Sequence, residues 1–129
     1  MEKPSKCIDV EDARGLQKNW KETRGKEIEN GQGYRDTREF WLSVEELEEY
    51  LAYVKEKSAE QGIEKPGIRI YLGAYAGTEK KRSYATVFLA PTKEKGSAVY
   101  EESGENTGDN NYDIEPLNDM QNGWPPLNY

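Results

Sequence analysis

Apolar positions recur at helical spacing in two places along the chain. In the first, Val10, Ala13, Leu16, Gln17 and Trp20 share an arc of about 120°, with Glu11, Arg14, Lys18 and Glu22 opposite. Asp9 is positioned as the N-cap, and Arg24-Gly25 is the expected end of this amphipathic helix. Gly15 weakens its middle by about 1 kcal/mol relative to alanine, and Gly31 and Gly33 mark a following loop. The second segment has stronger end signals. Ser43-Val44-Glu45-Glu46 is a capping box: the serine oxygen accepts from the Glu46 N–H, and the Glu46 carboxylate reaches back. Leu42 and Leu47 form the staple, and Val44, Leu47, Tyr50, Leu51 and Val54 fall on one face. Gly62 supplies the C′ stop, which predicts a helix over residues 44–61.

After Pro66-Gly67 the period changes from helical to alternating. Ile68, Ile70 and Leu72 alternate with Arg69 and Tyr71, and a polar stretch separates them from the β-rich Tyr84-Ala85-Thr86-Val87-Phe88-Leu89. These runs predict a hairpin, which is marginal by itself in water, so a third strand is needed. Tyr34 to Trp41, rich in β-formers, is assigned to that role. The expected fold class is α+β, with two amphipathic helices packed on a mainly antiparallel sheet of about three strands and an acidic, aromatic C-terminal tail.

Phe40-Trp41-Leu42-Ser43-Val44-Glu45-Glu46-Leu47, then Gly67-Ile68-Arg69-Ile70-Tyr71-Leu72-Gly73, then Thr86-Val87-Phe88-Leu89-Ala90-Pro91-Thr92 resemble a group of short bacterial proteins of unknown function. The shared outline is an amphipathic helix, a G-I-R-hydrophobic-Y-hydrophobic-G strand and a second strand ending in Pro-Thr, over roughly residues 34 to 92. The resemblance implies no activity, cofactor or catalytic residue.

Charge then divides the chain. It has 129 residues, 18 basic and 25 acidic, for a net −7, and no histidine. All the basic residues lie within residues 1–95, which are electrically neutral overall, whereas the segment from Gly96 to Tyr129 carries the whole excess. This predicts a domain over 1–95 and a tail over 96–129, partly docked on that body. Without histidine, Ser-His-Asp and Cys-His nucleophile systems and imidazole metal ligands are excluded. One cysteine, Cys7, forms neither an internal disulfide nor a thiolate zinc site. No apolar run has signal-peptide or transmembrane length, so a cytoplasmic protein with a reduced Cys7 and no membrane partner is expected.

The remaining chemistry-bearing patterns are incomplete. Glu45, Glu49, Glu56 and Glu60 make an acidic stripe on the second helix, which reads as a solvated face. Asp109, Asn111 and Asp113 begin like a Ca²⁺ loop, but Ile114 stands where glycine is required and Met120 where glutamate is required. No catalytic residue, metal site or cofactor is therefore expected. Lys80-Lys81-Arg82 beside Tyr71, Tyr75 and Tyr84 suggests stacking on single-stranded nucleic acid. The net negative charge argues against that partner. The aromatic content of the tail points instead to a protein partner, with Tyr71, Tyr84, Tyr112 and Trp124 as contact residues and a non-enzymatic interaction or assembly role. The alternative is a small-molecule-binding protein or enzyme with a pocket between sheet and helices, using Arg69, Tyr71, Glu46 or Tyr84.

Overall fold

The computed structural model describes residues 1–93, 108–118, 121–122, 126 and 128–129. The chain is α+β and divides into two compact units, Met1–Glu39 with the C-terminal residues, and Phe40–Asn122.

In the first unit α1 (Val10–Trp20) runs through a π turn (Lys21–Gly25) into α2 (Lys26–Gln32) without leaving helical dihedrals. The expected stop at Arg24-Gly25 is therefore corrected. Gly25 keeps φ −58°, and the turn widens where Thr23 Oγ1 donates to the Asn19 carbonyl at 2.6 Å, a side-chain competitor for the backbone ladder. The indole of Trp20 lies over Gly25, where an added Cβ would sit 3.4 Å from the ring. The helix ends at Gly33, whose φ of 84° suits glycine. Asp9 occupies the N-cap position, but its side chain makes no capping hydrogen bond. None of the helical residues Val10–Gln32 is buried, and Val10 and Leu16 are exposed.

The second unit opens with β1 (Phe40–Trp41) and α3 (Val44–Glu60). Ser43 caps α3 as expected, its oxygen accepting from the Glu46 N–H at 2.9 Å. The return bond differs, because the Ser43 hydroxyl itself donates to the Glu46 carboxylate at 3.1 Å. The C-terminus is a Schellman turn. Ile63 N–H donates to Ser58 O and Gly62 N–H to Ala59 O, with Gly62 at φ 76°.

β2 (Gly67–Ala74) and β3 (Ala85–Thr92) form the antiparallel hairpin, with Ile70 opposite Leu89 and Tyr71 opposite Phe88. The third strand is not where the sequence placed it. Only Phe40–Trp41 is extended as a strand, and it pairs with β4 (Gln121–Asn122) in a separate two-stranded ladder. Upstream, Asp36 Oδ1 accepts from Thr37 N–H at 2.8 Å, a local bond that draws the backbone away from a ladder. The outer edge of β3 is instead covered by residues 109–118. Leu89 and Leu117 exchange both backbone hydrogen bonds, and Asn111 N–H donates to Pro91 O. Pro91 has no N–H to return, and residues 112–114 turn between the two bridges, so this third strand is broken.

The core joins Tyr50 and Val54 of α3 to Leu89 of β3 and Ile114, with Leu47, Tyr53, Ile68 and Leu117 packed around them. The buried line of α3 is thus Tyr50, Val54 and Ser58. Leu51, expected in the core, is 36% exposed at its rim, and Val44 is exposed.

Candidate functional site

Side chains alternate across β2, and the two faces of the hairpin have different chemistry. On one face, Arg69 and Tyr71 meet the segment that covers β3. The Arg69 guanidinium donates to Asn110 Oδ1 and, at 3.0 Å, to the Gly108 carbonyl. The Asn110 amide in turn donates to the Tyr71 hydroxyl at 2.7 Å and to the Tyr112 hydroxyl at 3.4 Å. The Tyr71 ring stacks on Phe88 with centroids 5.1 Å apart. The Asn110 hydrogen bond, aided by Arg69, holds the Tyr71 phenol below its ordinary pKa because both favour the phenolate oxygen. Further along the hairpin, Tyr75 donates to Asn118 Oδ1 at 3.1 Å, and the Asn118 amide donates to Thr86 Oγ1 at 3.1 Å and the Val87 carbonyl at 2.9 Å. Two asparagines from the C-terminal segment therefore pin the two ends of the polar face.

The opposite face is apolar and half covered. Leu89 on β3 is buried beneath α3, whereas Ile70 and Leu72 on β2 are 66% and 86% exposed. The hydrogen-bond phase along β2 follows from Tyr75 N–H donating to Tyr84 O at 3.0 Å. Counting back in twos, Tyr71 and Gly73 bond to β3, so the N–H and C=O groups of Ile68, Ile70, Leu72 and Ala74 point away from it. Among the described residues β2 pairs with β3 alone. At the hairpin tip, Tyr75, Ala76, Lys80, Lys81, Arg82 and Tyr84 line a cavity of about 690 Å³. Its turn is ordered by Thr78 Oγ1, which accepts from the N–H groups of Lys80 and Lys81 at 3.2 and 3.0 Å.

Of the expected contact residues, Tyr71 and Tyr112 come together at Asn110, Tyr84 lies at the hairpin tip, and Trp124 lies outside the described residues. Arg69 joins Tyr71, whereas Glu46 is engaged in the α3 cap. The asparagines were missed. Asn110 was read only as part of a partial Ca²⁺ loop, and nothing in its sequence neighbourhood marks a partner 41 residues away. In that loop the Asn111 side chain is also committed, donating to Gln61 Oε1 and accepting from Asp113 N–H. Among the described residues no group of three acidic or sulfur ligands gathers, and no helix is long and apolar enough to cross a membrane.

No family model, curated protein or solved structure matches the chain.

Proposed function

We propose that the chain is a protein-interaction module that takes an extended segment of a partner onto the outer edge of β2. The observation that carries this reading is the coincidence, on the same residues, of outward backbone groups and exposed apolar side chains at Ile70 and Leu72. Strand addition uses both: main-chain hydrogen bonds give affinity, and alternating side chains give selectivity. Solvated strand edges are ordinarily blunted by proline, by charged side chains or by a covering segment. The stretch Ile70-Tyr71-Leu72-Gly73-Ala74 contains neither proline nor charge. The polar face supports the same role, because the bonds of Asn110 and Asn118 tie the hairpin to its covering segment. A protein is favoured over nucleic acid because a chain of net −7 repels long polyanions.

The test is a photo-crosslinking residue at the exposed Ala74, introduced in the source cell with and without Leu72→Pro. That proline removes an outward N–H while leaving the bonds to β3 in place. A discrete adduct that disappears with Leu72→Pro is expected. No adduct, or the same adduct in both backgrounds, would refute strand addition.

A further inference from the structure

The geometry points to the class of partner, resting on the strand-addition reading above: an extended peptide with apolar residues at its centre and carboxylates at the end that meets the hairpin tip. The hairpin region, residues 65–93, contains Lys65, Arg69, Lys80, Lys81, Arg82 and Lys93 against Glu79 alone, a basic island within an acidic chain. Its charges are unevenly placed. Arg69 is turned to the polar face and held by Asn110 and Gly108. Lys80, Lys81 and Arg82 are exposed and line the tip cavity with Tyr75 and Tyr84. Lys65, also exposed, stands just before the other end of β2.

A strand laid along β2 would place its alternate side chains on the face of Ile70 and Leu72, and its end beyond Ala74 would reach the hairpin tip, where Tyr75, Lys80, Lys81 and Arg82 line the cavity. There it meets three cations, with Tyr75 beside them. A carboxylate, from Asp, Glu or a chain terminus, complements that set; a lysine would be repelled by it. Net charge and local charge act over different ranges. At physiological salt, interactions decay over about 8 Å, so the tip cations govern a side chain in contact with them, whereas the chain's net charge opposes long polyanions.

The experiment is selection of a displayed library of random linear peptides on the full chain, followed by calorimetry of the enriched sequences. Calorimetry is repeated on Lys80→Glu/Lys81→Glu/Arg82→Glu and on Leu72→Pro, with Leu72→Lys as a second edge-blocking variant should the proline disturb folding. The expected peptides alternate apolar residues and end in Asp or Glu. The triple reversal should weaken them about tenfold or more, the three cations facing the acidic end being inverted at once, and the edge variants should abolish binding. Neutral or basic peptides that bind only with an intact edge, or acidic ones indifferent to the reversal, overturn the acidic-partner assignment and leave strand addition standing. Peptides that ignore both edge variants overturn strand addition and, with it, this assignment. A library that enriches nothing also overturns the assignment. So does a dimer of the chain in sedimentation that is lost in Leu72→Lys, since the edge is then filled by a second copy.

Discussion

Replacing Ile114 by alanine tests the packing that defines the second unit. Ile114 is 2% exposed and sits among Tyr50, Val54 and Leu89, although it lies in the segment that carries the chain's whole excess of negative charge. The substitution removes three carbon groups, about 2.4 kcal/mol at roughly 0.8 kcal/mol each, and a cavity term is added if the surroundings cannot close. They are held on several sides. The Tyr50 hydroxyl donates to the carbonyls of Glu115 at 2.9 Å and Leu89 at 3.3 Å, and Asn111 is fixed to Gln61 at 2.6 Å. The expected loss is therefore about 3 to 4 kcal/mol, measured by urea denaturation of the full chain. Tyr112→Ala, two residues away and 88% exposed, should change stability by about 0.5 kcal/mol or less. Equal losses for the two, or a loss below about 1 kcal/mol for Ile114→Ala, would refute the argument that this segment is part of the core.

Val54→Ala should lower the thermal midpoint clearly more than Leu51→Ala, since Val54 is buried and Leu51 lies at the rim; comparable losses for the two would restore the helix face expected from periodicity. Gly15→Ala should raise the helical unit's stability by up to about 1 kcal/mol, because nothing lies within 4 Å of the added Cβ, whereas Gly33→Ala should lower it because φ there is 84°; both are read by circular dichroism melts. The Tyr53 hydroxyl donates to the Glu115 carboxylate, which holds Glu115 below its ordinary pKa and raises that of Tyr53. A depressed carboxylate contributes stability above its unfolded pKa and loses it as pH falls through the folded value. Glu115→Gln should therefore flatten the acid limb of a urea-midpoint profile, and an unchanged limb would count against the bond. On the alkaline side, Tyr71→Phe should remove a tyrosine ionisation that falls below the ordinary phenol range in a spectrophotometric titration, because Asn110 and Arg69 lower that group.

Features with short-range signatures were legible in the sequence, and those depending on long-range partners were not. The ends of α3 follow from Ser43 and Gly62, each of which acts within a few residues. The hairpin follows from the alternation of Ile68 to Leu72 and the β-rich run Tyr84 to Leu89, which the structure extends to 67–74 and 85–92. The position of the third strand did not follow, because β-propensity at Tyr34–Trp41 says nothing about competing local bonds such as that from Thr37 N–H to Asp36 Oδ1. The π turn has no periodic signature at all: Gly25 reads as a helix stop, and only the packing of Trp20 over it accounts for its place inside a helix. At the candidate site, Tyr71 and Arg69 were visible as unusual residues on a strand. Asn110, which joins them, was hidden because its role depends on a contact with no local pattern.

The two edges of the hairpin make the strongest case for where a partner would bind. Leu89 turns its backbone groups outward from β3, and the chain covers them with its own Leu117, while Lys93 donates to Asp109 and Pro91 accepts from Asn111. The same segment supplies Ile114 to the core and Asn110 and Asn118 to the polar face, so covering this edge also stabilises the unit. On β2, Ile70 and Leu72 have the same backbone phase and the same apolar character as Leu89, but they are exposed. An edge this long and apolar is an aggregation hazard if it has no use. The chain has charges available to guard it, since Lys80, Lys81 and Arg82 lie immediately beyond, yet they are gathered at the tip cavity and none is placed on the strand between Ile70 and Ala74. An arrangement that covers one edge from within, leaves the matching edge apolar and concentrates cations at its end is the one expected of a hairpin that accepts a strand from outside.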